Sequence, residues 1–262
     1  MMVSWPVGPE VRVDPIAGGA MLYDTSVAGN ATAEWFSSAW WAARAPVEDA
    51  PGGRGATCFI DAPERRYALR HYRRGGWVRH LSADRYLWLG EDATRSFAEW
   101  YLLYHLRSAG LPVPRPIAAR YRRVGLVYTA DLLTERLAGT RSLAARVTAG
   151  PLTRATWEDI GRCLQRFHHA GCWHADLNAH NILIDVEDRV WLVDFDRSRL
   201  RRPGMWCDAN LVRLLRSLRK LTDPLRWTHF DDGDWRALVE AYFDARRRRL
   251  ELGPSADGAT SP

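Results

Sequence analysis

Asp176, Asn181 and Asp194 are three oxygen-bearing side chains at spacings that could serve one reaction. The stretch reads Trp173-His174-Ala175-Asp176-Leu177-Asn178-Ala179-His180-Asn181-Ile182-Leu183, and Leu192-Val193-Asp194-Phe195-Asp196 follows. The chemistry such a set can perform is phosphoryl transfer from a nucleotide. A transferring phosphoryl group needs positioning and charge neutralisation more than covalent help. Asp176 is expected to take the proton of an attacking hydroxyl. The Asn181 amide and the Asp194 carboxylate are hard oxygen donors suited to Mg²⁺ on the β- and γ-phosphates. His174 is expected to brace the loop by hydrogen bonds rather than touch substrate. Asp and Asn alone are common turn residues; here the order H-x-D-L-x-x-x-N, then D-F-x, separates the stretch from ordinary turns.

These groups need elements to hold them. Ile182-Leu183-Ile184 and Val190 to Val193 read as two short strands, with Asp185 to Arg189 as the turn between them. Such a hairpin returns Asp194 towards the loop that carries Asp176. Upstream, Trp157, Ile160, Leu164 and Phe167 recur at helical spacing. Thr156 is the expected cap of that helix and Gly171 its expected end.

Earlier in the chain, Pro51-Gly52-Gly53-Arg54-Gly55-Ala56-Thr57-Cys58 is a glycine-rich turn running into a strand. Gly53 and Gly55 would let backbone N–H groups approach phosphate oxygens. Tyr67-Ala68-Leu69-Arg70 follows as a strand, with Arg70 as the candidate phosphate-binding cation. Ser96 to Leu106 reads as an apolar helix whose Glu99 is the natural partner of Arg70. Guanidinium binds phosphate bidentately, although not with the geometry of an ammonium. The chain has one lysine, Lys220, and it lies beyond the Asp176 loop, so no lysine can take the place of Arg70. Backbone groups near Glu135 to Leu137 are expected to meet an adenine edge. Residues 1–19 are Pro- and Gly-rich and expected to be irregular, and Asn30 to Arg44 reads as a helix with Trp35, Phe36, Trp40 and Trp41 on one face. Helices are also expected from about Asp208 to Leu221 and from Asp234 to Leu250.

With 262 residues, 47% hydrophobic and 26% charged, the chain has the balance of a globular protein able to bury a core. No apolar run approaches the roughly 20 residues of a membrane span, and the N-terminus lacks a basic-then-apolar signal pattern. A cytoplasmic protein is expected. Cys58, Cys163, Cys172 and Cys207 show no metal-ligand spacing and read as buried, reduced thiols. The net charge of +6 favours anionic partners, but no nucleic-acid-binding module is recognisable and none is expected to act.

The loop H-x-D-L-x-x-x-N and the Asp-Phe-Asp variant of D-F-G resemble the catalytic and metal-binding loops of protein kinases. The strings HADLNAHNILID and VWLVDFDRSRLR, with GGRG and ALRHYRRGGWV upstream, are more particular. They resemble the lipopolysaccharide core kinases that act on 3-deoxy-D-manno-octulosonic acid (Kdo). The resemblance implies an α+β, bilobal protein-kinase-like fold. Residues 1–134 would form a small, mainly-β lobe, residues 135–252 a larger, mainly-α lobe, and residues 253–262 a disordered tail. It implies ATP and Mg²⁺ as cofactors and a Kdo–lipid A precursor as partner, phosphorylated at the Kdo 4-hydroxyl. It also implies a peripheral location on the anionic cytoplasmic face of a bacterial inner membrane. Asp176 carries over as the base, with Asn181 and Asp194 as metal ligands.

Three departures from protein kinases bear on the acceptor. Asn178 stands where a catalytic-loop lysine is usual, so another cation must neutralise the γ-phosphate. Asp196 replaces the glycine after D-F and is expected to add a metal-facing carboxylate. No A-P-E segment follows to hold a protein substrate. All three favour a small or glycolipid acceptor. A kinase for another lipopolysaccharide sugar such as heptose, a small-molecule phosphotransferase, and a non-catalytic pseudokinase scaffold remain as alternatives. Arg65, Arg66, Arg70, Arg73, Arg74, Arg79 and His80, interleaved with Trp77, Tyr86, Leu87 and Trp88, form a basic and aromatic segment expected to face lipid A or to dock on the membrane.

Overall fold

Strand-forming runs separated by tight turns build the first half of the chain. The computed structural model describes residues 7–29, 31–50, 57–73, 84–221 and 228–252. It divides into two units, Met1–Ala138 with Phe195–Arg197, and Gly139–Asp194 with Ser198–Pro262.

In the first unit the strands are β1 (Val11–Ile16), β2 (Gly19–Asp24), β3 (Val47–Asp49), β4 (Thr57–Asp61), β5 (Arg66–His71), β6 (Tyr86–Leu87), β7 (Pro116–Val124) and β8 (Val127–Glu135). They form one sheet in the order β1-β2-β7-β8-β5-β4-β3, with β6 also paired to β8. Met21, Tyr23, Cys58, Ile60, Tyr67, Leu69 and Leu133 pack with Phe36 and Trp41 into a core on this sheet. Successive strand residues point to opposite faces, so burial of Tyr67 and Leu69 in this core puts Ala68 and Arg70 on the other face of β5. Helix α2 (Arg95–Ser108) buries Phe97, Trp100, Leu102, Leu103 and Leu106, with Glu99 among them.

Two expectations give way here. Val11–Ile16 is a strand rather than irregular chain, because each of its residues pairs with β2. The expected 30–44 helix is a 3-10 turn, Ala33–Phe36, followed by the five-residue α1 (Ser38–Ala42). Ser37 divides them: its backbone is extended and its hydroxyl accepts from the Trp40 N–H as the cap of α1. Tertiary packing of Phe36 and Trp41 on the sheet replaces a continuous helical face.

The second unit begins with β9 (Arg141–Ser142), α3 (Leu143–Ala149) and α4 (Arg154–His169). Then come β10 (Cys172–Trp173), β11 (Ile182–Ile184), β12 (Val190–Leu192), β13 (Arg199–Leu200), α5 (Trp206–Leu221) and α6 (Asp232–Leu252). The cap of α4 is Thr153, whose hydroxyl accepts from the Thr156 N–H; Thr156 itself is buried one turn in. Gly171, at φ +74°, ends the helix as expected. Helices α4 and α6 approach closely at Gly161, where a Cβ would stand 2.1 Å from the Leu238 carbonyl oxygen. All four cysteines are buried and free.

Candidate active site

The loop between β10 and β11 is shaped by a buried histidine. His174 is 2% exposed. Its Nε2 donates to the Val193 carbonyl at 3.0 Å, and its Nδ1 accepts from the Asp176 N–H at 3.2 Å. Only the neutral ring with its proton on Nε2 makes both bonds, and burial lowers the pKa in the same sense. His174 therefore ties the Asp176 backbone to the residue before Asp194. Asn210 on α5 donates to the His174 carbonyl at 3.0 Å, and Ser198 accepts from the Ala175 N–H at 3.0 Å.

The Asp176 side chain is half exposed, at 53%. Its Oδ2 accepts from Asn178 Nδ2 at 3.1 Å, and its Oδ1 accepts from Arg213 of α5 at 2.5 and 3.1 Å. Asn178 Oδ1 accepts from the His180 and Asn181 N–H groups at 2.8 and 3.2 Å. Asn178 thus closes the turn that Asn181 ends. Asn181 Nδ2 donates to the Asp176 carbonyl at 2.9 Å, which leaves the amide oxygen as the atom that could ligate a cation.

The expected hairpin holds Asp194. β11 and β12 pair antiparallel, Ile182 opposite Leu192, and Val193 N–H donates to the Asn181 carbonyl at 3.1 Å. At the turn, the Asp185 carboxylate accepts from the Glu187 and Arg189 N–H groups at 2.9 Å, from Arg189 Nε at 2.8 Å and from Trp191 Nε1 at 3.2 Å. Those bonds depress its pKa although burial opposes them. Asp194 has φ +63°, a left-handed conformation that turns the chain sharply before Phe195.

In the first unit Arg70 and Glu99 come together. Arg70 Nη1 lies 3.4 and 3.5 Å from the two Glu99 oxygens. The Arg70 guanidinium lies 4.8 Å from the centre of the Tyr72 ring, and the Tyr72 hydroxyl donates to Glu99 at 2.5 Å. Burial beside the Glu99 carboxylate pushes the Tyr72 pKa well up, so the hydroxyl keeps its proton. The Phe195 N–H donates to the other Glu99 oxygen at 3.1 Å. Asp196, expected from sequence to face a metal, lies among arginines. Its two oxygens accept from Arg95 Nε and Nη2 at 2.8 and 2.5 Å, and Arg70 Nη2 lies 3.8 Å away. Arg95 stands at the start of α2, where an N-terminal arginine gave no sequence signal. Arg213 and Tyr72 were likewise missed, although Tyr72 follows Arg70 by two and so shares its strand face.

Glu135 is partly buried at the end of β8, and its N–H donates to the Arg115 carbonyl at 2.9 Å. Gly53 and Gly55 lie outside the described residues, as do Arg74, Trp77, Arg79 and His80 of the basic segment. A cavity of about 820 Å³ is lined by Leu69, His71, Arg120 and Asp131, the face of β5 opposite Arg70. Its His71 ring is 2.7 Å from Asp131, whose hydrogen bond raises the histidine pKa.

An antiparallel sheet unit that carries an arginine–glutamate pair, and a helical unit that carries the Asp176, Asn181 and Asp194 loops, define a protein-kinase-like phosphotransferase. The family model for the lipopolysaccharide kinase (Kdo/WaaP) family matches residues 38–242. A 3-deoxy-D-manno-octulosonic acid kinase of Stenotrophomonas maltophilia (strain R551-3) is 53% identical over 206 residues, covering 78% of this chain and 81% of that protein. The enzyme of the same description from Xanthomonas campestris pv. campestris (strain B100) is 50% identical over 226 residues, covering 86% and 89%. The chain belongs to the lipopolysaccharide kinase (Kdo/WaaP) family. Among solved structures, WbdD aligns at 14% identity with a TM-score of 0.45, covering 80% of this chain and 48% of its own, so the chain spans about half its length.

Proposed function

We propose that the protein transfers the γ-phosphoryl group of ATP to the 4-hydroxyl of Kdo on a Kdo–lipid A precursor, at the cytoplasmic face of the inner membrane. The observation that carries the reaction is the Asp176 loop: one carboxylate, half exposed, with its backbone tied through His174 to Val193 and its carbonyl tied to the Asn181 amide. The Kdo acceptor is supported by relatives of about half-identical sequence that bear that description.

The acceptor hydroxyl attacks the γ-phosphorus; the bond to the β–γ bridging oxygen breaks, ADP leaves, and the hydroxyl proton passes to Asp176. General-base assistance of this kind contributes about 10²–10⁴ in rate. Arg213 holds Asp176 Oδ1 and so aims the other oxygen. It also puts a cation beside the base, where the sequence has Asn178 instead of lysine. Asn178 is a positioning residue, because its side chain closes the loop turn. The donors present fit a divalent cation such as Mg²⁺: Asn181 has its amide nitrogen committed to protein and its oxygen left to ligate, and Asp194 adds a hard carboxylate oxygen. When bound, the cation neutralises the charge that develops on the phosphates. Arg70, held by Glu99 and Tyr72, is the phosphate-binding cation of the first unit. Asp196 belongs with Arg95 and Arg70 rather than with the metal.

Incubating a Kdo–lipid A precursor with protein, ATP and Mg²⁺ and measuring its mass tests the proposal. One phosphate should be gained, and linkage analysis should place it on the Kdo 4-hydroxyl. The Asp176→Ala protein should fold and bind ATP yet lose most turnover. Equal phosphate gain in wild type and variant would overturn the role of Asp176, and gain on heptose alone would overturn the acceptor.

A further inference from the structure

One end of the first unit's sheet exposes apolar side chains that its backbone brings together. Strands β7 and β8 close in a two-residue turn, Gly125-Leu126, flanked by the pair Val124 and Val127. Only Gly125 of the two turn residues has positive φ, +60°, the backbone pattern of a type II′ hairpin turn. Polar residues serve such tips well; here the tip reads Val-Gly-Leu-Val. β6 pairs beside it, Leu87 opposite Val127, and the Trp88 N–H donates to the Leu126 carbonyl at 3.0 Å. Leu87, Leu89, Val124 and Leu126 are 65%, 78%, 75% and 77% exposed. Four large apolar side chains so exposed at one spot mark an interaction surface.

Its surroundings identify the partner. Arg85, Arg122 and Arg123 are exposed around the tip. Arg123 is held in place: its Nε donates to the Gly125 carbonyl at 2.8 Å, and its guanidinium lies 4.8 Å from the centre of the Trp88 ring. Trp88 is half-buried against Tyr121, at 4.9 Å between ring centres. Of the nearby acids, Glu91 accepts from the Tyr121 hydroxyl at 2.7 Å, Asp84 lies 3.6 Å from His71, and Asp92 is exposed. Apolar side chains at a hairpin tip, a tryptophan behind them and arginines around them match the layers of an anionic bilayer: acyl chains, interface and headgroups. No helix among the described residues is long and apolar enough to cross a membrane.

We infer that the β7–β8 tip and β6 form a membrane anchor that inserts Leu87, Leu89, Val124 and Leu126 among the lipids of an anionic leaflet, with Arg85, Arg122 and Arg123 on the headgroups. The inference deepens the proposed function, because it names the surface by which the enzyme would reach a lipid-borne acceptor. It extends the surface expected from sequence, which already contained Leu87 and Trp88, to the β7–β8 tip.

Sedimentation with vesicles of phosphatidylethanolamine containing a quarter phosphatidylglycerol tests it without ATP or acceptor, so its outcome is independent of the assigned reaction. Wild type should bind these vesicles and bind pure phosphatidylcholine less. Removing two apolar side chains that would insert into the bilayer, in Val124→Ser/Leu126→Ser, should weaken partitioning about tenfold or more, with unchanged circular dichroism. Leu87→Ser/Leu89→Ser should act alike. Brominated lipid should quench wild-type fluorescence more than that of Trp88→Phe. Undiminished binding by both double variants overturns the inference, and so does absence of binding by wild type. A tip that instead holds two copies together, seen as a wild-type dimer and monomeric variants without vesicles, overturns it as well.

Discussion

The Arg95–Asp196 pair distinguishes two roles for the residue after D-F, and replacing either partner tests them. The pair is bidentate, with bonds of 2.8 and 2.5 Å, and its side chains are 14% and 19% exposed. Breaking a fully buried pair costs about 3–5 kcal/mol, whereas an exposed pair contributes at most about 1 kcal/mol. The exposure places this one between, at about 2 kcal/mol for each single variant, Asp196→Asn or Arg95→Gln. Because each removes the same bonds, the double variant should cost little more than either alone, with a coupling of about 1–2 kcal/mol. Denaturant titrations of the four proteins give that cycle. The segment after Asp194 is held to the first unit by this pair and by the Phe195 N–H on Glu99. Loosening it should therefore misplace Asp194 and lower kcat about 10-fold to 100-fold in both singles. A metal-ligating Asp196 makes a different demand: Asp196→Asn would raise the Mg²⁺ concentration for half-maximal activity, and Arg95→Gln would leave it unchanged. That result, or additive stability losses, would refute the clamp.

Arg213→Ala should leave stability within about 1 kcal/mol, since the pair with Asp176 is half exposed. It should lower kcat at least tenfold with little change in acceptor KM, and Arg213→Lys should recover part of the loss; a pure KM effect would count against the assignment. Gly161→Ala should cost about 3 kcal/mol, because the added Cβ would stand 2.1 Å from the Leu238 oxygen and force α4 from α6; an unchanged melting temperature would contradict that packing. Burial pushes the His168 pKa down to about 4 from 6.5. As pH falls below 6.5 the unfolded chain takes the proton first, so stability is full above 6.5 and is lost between 6.5 and 4, by about 3 kcal/mol. Burial lowers the His174 pKa too, which adds in the same direction. Urea titrations at neutral and mildly acid pH check this, and a flat profile would refute it.

What could be read without the fold was local. The loop, the hairpin behind it and the helix before it are set by residues close in sequence. Turn chemistry at Asp185, the left-handed Gly171 and the 3.6-residue period of α4 act over a few positions, so their signals sit in short strings. The Arg70–Glu99 pair was also legible, because an established pattern links a strand cation to a carboxylate on the following helix. The long helix expected over 30–44 and the irregular first residues failed because tertiary packing decided them: Phe36 and Trp41 gain more on the sheet core than on a continuous helical face, and β1 exists only by pairing with β2.

The sequence by itself therefore determined the reaction class, since Asp176, Asn181 and Asp194 must have those functional groups at those spacings to serve phosphoryl transfer. Tertiary structure alone decided how the other charges are shared. Arg95 reaches Asp196 across 101 residues and Arg213 reaches Asp176 across 37. In a chain whose fixed positive charge is nearly all arginine, nothing in composition says which guanidinium meets which carboxylate. That choice follows from where helices α2 and α5 pack, and packing is a property of the whole core.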